Sequence, residues 1–192
     1  NKPRMPMGSH KLKITKKKIS NTITKKIQEA RLKGKWLLFH PYSASIHKSM
    51  PQSITIDLLK EFLFKLEDYM VISTLQIDPK IKEDNFVDLS KESKNLNDFI
   101  YIISQMDEIF TTDTSTYHIS DIFMIQTIVV FTQADYERKI KYYKYVKPIY
   151  IKDESKNLSK FIYENESLTF YKFESWKKIK ISQIIKLLDK FW

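Results

Sequence analysis

Short, unbroken apolar runs alternate along this chain with stretches of helical periodicity. KWLLFHPY (35–42) reads as a buried strand, and YMVISTL (69–75), FVDLS (86–90), DEIFTT (107–112) and QTIVVF (126–131) read as further strands. PIYI (148–151) and LTFYKF (168–173) are candidates for two more. Between them, residues 15–33 place Ile19, Ile23, Ile27 and Ala30 at helical spacing, and Gly34 stops that helix. ITIDLLKEFLFKL carries apolar positions 54, 58, 59, 62, 63 and 66 on one helical face. NLNDFIYIISQM starts on an asparagine cap; STYHISDIF and WKKIKISQIIKLLDKFW complete the predicted helices. Strands that are continuous rather than alternating are those of a parallel sheet covered on both faces. The expected fold is therefore α/β, a three-layer open parallel sheet with helices on both faces. Residues 1–34 are expected to be a basic lead-in and linker helix, and residues 35–192 the α/β domain.

Composition narrows the function. With 42% hydrophobic and 14% aromatic residues the chain is built to fold. It has no cysteine, which excludes disulfides and thiolate metal sites and fits a cytosolic protein. No apolar run is long enough to span a bilayer, and the polar, basic start gives no secretory signal. A net charge of +10 is suited to an anionic partner: nucleic acid, an anionic membrane surface or a phosphorylated substrate. Lysines are spread along the whole chain, as compositional drift would also produce; KLKITKKKISNTITKK (11–26) is a true cluster.

In open α/β folds ligands bind beyond the carboxyl ends of the strands. Two polar loops fall there. The first, HPYSASIHKSMP (40–51), brings Ser43, Ser45, His47, Lys48 and Ser49 ahead of a helix. Hydroxyls and a lysine beside a helix N-terminus suit a phosphate; a solvated loop with Ser53 as helix cap accounts for the same residues. The second, TTDTSTYHIS (111–120), offers Asp113, Thr114, Ser115, Thr116 and His118. Asp113 or Thr114 could be a simple cap, with His118 packed in the first turn; together the group could instead hold an anion and a sugar hydroxyl. As both loops follow strands of one sheet, a diphosphate could lie between them. The P-loop, the dinucleotide glycine fingerprint and zinc spacings are all lacking.

The order of these motifs resembles the C-terminal domain of the family 9 glycosyltransferases, the ADP-heptose:lipopolysaccharide heptosyltransferases and their relatives. That family carries HPG-x-S, a basic residue and WP in the first loop. Its second loop is Asp-Ser/Thr-Gly-x-x-His, followed by a helix and a strand ending in Phe-Gly. The resemblance covers roughly residues 35–150 and implies the Rossmann-like, nucleotide-sugar-binding half of a GT-B enzyme. It implies that Lys48 neutralises the donor diphosphate, that Ser43 and Ser45 are the small hydroxyl positions, and that Asp113 contacts the sugar or the loop around it. Thr114 and Ser115 would present amides to phosphate, and His118 is the motif histidine. No metal or other cofactor is implied. This sequence departs from the pattern at Tyr42 and Ser115, where the family has glycine, at Met50 in place of tryptophan, and at Thr132. The donor sugar therefore stays open.

Family members have an N-terminal acceptor domain that supplies the catalytic base. Here residues 1–34 precede the first strand, so the sequence is expected to be a fragment, a processed second domain or a protein that kept the nucleotide half, and no catalytic base is assigned. Asp78, Glu83 and Asp84 follow the second strand and are either ribose contacts or solvated surface acids. The expected partners are a nucleotide-sugar donor, a glycan or lipid-linked acceptor of bacterial surface glycan synthesis, and an acceptor domain. The expected location is cytoplasmic, with peripheral contact at the inner membrane face as an option. A non-catalytic reading remains beside these: a basic module for nucleic acid or anionic membrane, using residues 11–26, the aromatic and basic KYYKYVKPIY (141–150) and the closing helix.

Overall fold

A computed structural model describes residues 19–31, 34–45, 48–132, 135–151 and 173–189. In chain order its elements are α1 (Asn21–Arg31), β1 (Lys35–His40), α2 (Gln52–Lys65), β2 (Tyr69–Ser73), β3 (Phe86–Asp88), α3 (Leu96–Ser104), β4 (Glu108–Thr112), α4 (Ser115–Ile122), β5 (Gln126–Phe131), α5 (Tyr136–Ile140), β6 (Val146–Tyr150), a 3-10 turn (Phe173–Lys178) and α6 (Ile181–Asp189). The six strands form one sheet in the order β3-β2-β1-β4-β5-β6, and every neighbouring pair is parallel. The fold is an α/β, Rossmann-like one.

Alternate residues of each strand serve opposite faces, as the period of two requires. Leu37, Phe39, Val71, Phe110, Ile128 and Val130 face α2 and α6. Trp36, Leu38, Met70, Ile72 and Ile109 face α1 and α3, and Val129 and Phe131 meet Tyr117 of α4 with Tyr136 and Ile140 of α5. Three phenylalanines centre the first layer. Phe39 stacks on Phe110 at 5.6 Å, and Phe62 meets both edge-on at 5.5 and 5.4 Å.

Element boundaries moved where local chemistry outweighed periodicity. Helix α2 begins at Gln52, directly after Pro51, which takes the cap position without a side-chain bond. The helix starts one residue ahead of Ser53, which is therefore inside the first turn and does not cap. Asn95 does cap α3, accepting from Asp98 N at 3.1 Å. The closing helix starts at Ile181, after the 3-10 turn that holds Trp176 in the core. Helix α5 is an element that periodicity did not announce. Residues 11–18 of the basic cluster and 168–172 of the LTFYKF run lie outside the described residues.

Gly34 enters β1 with φ at +152°, a region open to glycine alone. A Cβ there would sit 2.4 Å from the Asp68 carbonyl oxygen, which accepts from Lys35 N at 3.0 Å. Gly34→Ala should therefore cost about 1–3 kcal/mol, read as a lower urea midpoint with unchanged slope. A midpoint equal to wild type would show that this turn carries no such constraint.

Candidate functional site

The strand order reverses between β1 and β4: the chain leaves β1 for β2 on one side and returns to β4 on the other. That reversal opens the crevice in which such folds bind ligands. Both polar loops are at its carboxyl end, the described residues 41–45 and 48–51 after β1 and 113–114 after β4. Paired in register, His40 and Thr111 end side by side. Thr111 Oγ1 donates to the His40 carbonyl at 3.0 Å and shares a hydrogen bond with Thr114 Oγ1 at 3.2 Å. The two strand ends are thus clasped together below the loops.

The first loop is braced by its own serines. Ser49 Oγ accepts from Ser43 N at 2.8 Å and bonds the Ser43 and Ser45 carbonyls at 2.9 and 3.0 Å. Ser43 Oγ accepts from Ser45 N at 3.3 Å, and Met50 N donates to the Pro41 carbonyl at 2.9 Å. Ser43 and Ser45 are therefore part of the loop's framework as well as candidate donors. Met50, the family's tryptophan position, is buried against the α2 layer. His47 lies outside the described residues.

In the second loop Thr114 is the cap of α4, its Oγ1 accepting from Thr116 N at 3.2 Å; such a cap is worth about 1 kcal/mol. Ser115, in the position that is glycine in the resembled family, is exposed at the first turn of α4. The first amides of a helix lack partners within it, so this end of α4 points N–H groups and the positive end of its dipole at the crevice. Asp113 is not the cap. Its carboxylate is buried, 8% exposed, and Oδ2 lies 2.8 Å from Lys139 Nζ and 3.7 Å from Lys48 Nζ. Lys139 also lies 3.5 Å from Asp135, one turn earlier on α5.

One carboxylate thus joins the loops after β1 and β4 to helix α5. A buried carboxylate without partners would cost several kcal/mol, and here two ammonium groups and the Tyr117 hydroxyl surround it. Burial first, and the Asp113 charge second, push the Tyr117 phenol above the ordinary tyrosine range. His118, one turn into α4, is exposed, yet its ring centroid lies 4.0 Å from that of Tyr117, and Nδ1 shares a short hydrogen bond with the Tyr143 hydroxyl. Desolvation lowers its pKa; Asp113 acts against this and Lys139 with it. His118 is therefore a neutral imidazole at pH 7 that belongs to the Asp113 neighbourhood.

The structure accordingly gathers Lys48, Asp113, Thr114, Ser115 and His118 at one crevice, with Ser43 and Ser45 in its first wall. Sequence reasoning missed Lys139 and Tyr143. Lys139 is on α5, and its pairing with Asp113, 26 positions away, left no local signal. Asp78 is half-buried and bonds Lys80 N at 2.9 Å, while Glu83 and Asp84 are exposed. Of the 141–150 tyrosines, Tyr143 packs on His118 and Tyr117, whereas Tyr142 is exposed. Among the described residues no His, Asp or Glu group gathers as a metal site, and no helix is long and apolar enough to cross a membrane.

No protein-family model matches the chain, and no curated protein sequence matches it. In fold it is similar to the crystal structure of the glycosyl transferase family 9 from Veillonella parvula DSM 2008, with a TM-score of 0.60 and 12% identity. The alignment covers 90% of this chain and 52% of that one, so this chain spans about half the length of that protein. At this identity the likeness is one of fold.

At the foot of the crevice His40 is buried, its Nδ1 3.2 Å from Thr74 Oγ1, and burial lowers its pKa to about 4. The unfolded chain takes up that proton near pH 6.5 and the folded chain only near pH 4. Stability is therefore full above 6.5 and falls as pH drops towards 4, by about 3 kcal/mol. Urea midpoints of wild type and His40→Gln at pH 7, 5 and 4 should converge as pH falls. Parallel pH profiles would show that His40 is not the group responsible.

Proposed function

We propose that this chain is the nucleotide-diphosphate-sugar-binding half of a glycosyltransferase, heptosyltransferase-like, serving bacterial surface glycan or lipopolysaccharide synthesis. The observation that carries the reading is the meeting of the loops after β1 and β4 at the strand-order reversal. There Lys48, the α4 amides and loop hydroxyls converge around Asp113. The fold likeness to a family 9 glycosyl transferase supports the same reading.

In glycosyl transfer the bond from the anomeric carbon to the diphosphate breaks, and negative charge grows on the departing phosphate oxygen. Donors already fixed in place stabilise that charge most, because they need not reorganise during the reaction. Lys48 supplies a full positive charge, and the first turn of α4 supplies amides and a dipole. No metal is needed for that stabilisation in this arrangement. His118 and Asp113 line the side where the sugar would lie and can hydrogen-bond its hydroxyls. The base that deprotonates the acceptor hydroxyl comes from an acceptor half, and lysines on the surface hold the enzyme against anionic lipid at the inner membrane face.

Calorimetric titration with ADP, UDP and their sugar conjugates tests this. The chain should bind at least one of them, and Lys48→Ala should weaken that binding about tenfold or more, as loss of an opposing charge at contact distance does. Absence of binding by every nucleotide would overturn the proposal, as would an affinity indifferent to Lys48→Ala.

A further inference from the structure

We infer that Asp113 is a tethered internal anion, which a diphosphate displaces from Lys48 while Lys139 retains it. The inference rests on the diphosphate reading of the crevice and deepens it by giving Lys139, on α5, a positioning role. Lys48 and Lys139 address the same oxygen, Asp113 Oδ2, but unequally. Lys139 donates a hydrogen bond at 2.8 Å, and Asp135, at the N-cap of the same helix, lies 3.5 Å from the same ammonium. Lys48, on the loop after β1, stands off at 3.7 Å, beyond hydrogen-bond range.

The charges of Lys48, Lys139, Asp113 and Asp135 sum to zero. A diphosphate entering beside them meets Asp113 as a repelling neighbour unless that carboxylate stays tightly engaged elsewhere. Lys139 provides that engagement, and the Tyr117 hydroxyl adds to it. Lys48 can then pass from one oxygen anion to another. The transfer is inexpensive because the ammonium, already 15% exposed, remains paired before and after and pays little new desolvation. Lys139 need not touch the ligand to govern its affinity. Its removal leaves Asp113 with Lys48 as its remaining cation in this group, and Lys48 is then held back from the phosphate.

Isothermal titration of the full chain with inorganic pyrophosphate and with ADP distinguishes this from a merely structural ion pair. Lys139→Met should weaken pyrophosphate binding about tenfold. Lys139→Arg, which keeps the charge and the pair, should bind as wild type does. The double variant Asp113→Asn with Lys139→Met should recover affinity to near the wild-type value, because the competing anion has gone with its keeper. Asp113→Asn alone should bind pyrophosphate at least as tightly as wild type. Equal affinity of wild type and Lys139→Met overturns the inference, as does a double variant as weak as Lys139→Met. A wild-type chain that binds neither pyrophosphate nor ADP overturns the diphosphate reading itself. ADP binding without the predicted variant pattern overturns only the role of Lys139 and Asp113.

Discussion

The parallel pairing of β1 with β4 sets where everything else falls. Leu37 to His40 run in register with Glu108 to Thr111, yet the chain reaches β4 only after building β2 and β3 on the far side of β1. Right-handed crossovers then send α2 to one face and α3 to the other. The loops that leave β1 and β4 must diverge, and a crevice between their carboxyl ends is unavoidable. The hydrogen bond from Thr111 to the His40 carbonyl fixes the floor of that crevice at a single depth. The apolar layers beneath, from the Phe39, Phe62 and Phe110 trio to Trp36 and Ile109, hold the two strands rigidly together.

On that floor the polar groups are arranged by mutual satisfaction. Ser49 staples its loop through three bonds to backbone, Thr114 caps α4, and Asp113 collects cations from the loop after β1 and from α5. Each of these contacts stabilises the folded chain, and each also fixes a donor or a charge at the crevice. His40 extends the same economy below the floor: kept neutral by burial, it fills the space between Thr74 and Phe99 without adding charge. Loops held this way need no glycine at the crevice. Tyr42 packs its side chain partly into the α2 layer and Ser115 turns outward, so both glycine positions of the resembled motif are filled without blocking the floor.

The central strands β1, β2, β4 and β5 were legible because burial on both faces leaves an apolar run that no helix of that length would show; QTIVVF spans β5 from end to end. The two site loops were legible for a related reason, since polar residues crowded against such a run have to be at a strand end. Helix α5 was not. Its five residues, YERKI, hold too few apolar positions to display a period, and the value of Lys139 depends on Asp113, 26 positions away. The same is true of Tyr143 and His118. Pairings across loops are created by the strand order, and local pattern carries no trace of them. The cap expected at Ser53 failed for a different reason: the helix begins at Gln52, directly after Pro51, and Ser53 falls inside its first turn.

The proposed function places an anionic nucleotide ligand in one crevice, between the ends of β1 and β4. Backbone amide NMR during titration with ADP reads that location directly. The predicted result is a set of shifts confined to residues 41–50 and 112–118 and to the neighbourhood of Lys139, with the outer faces of α2 and α3 unmoved. Shifts centred instead on the edge strand β6 and the exposed Tyr142, or spread evenly over surface lysines, would contradict it.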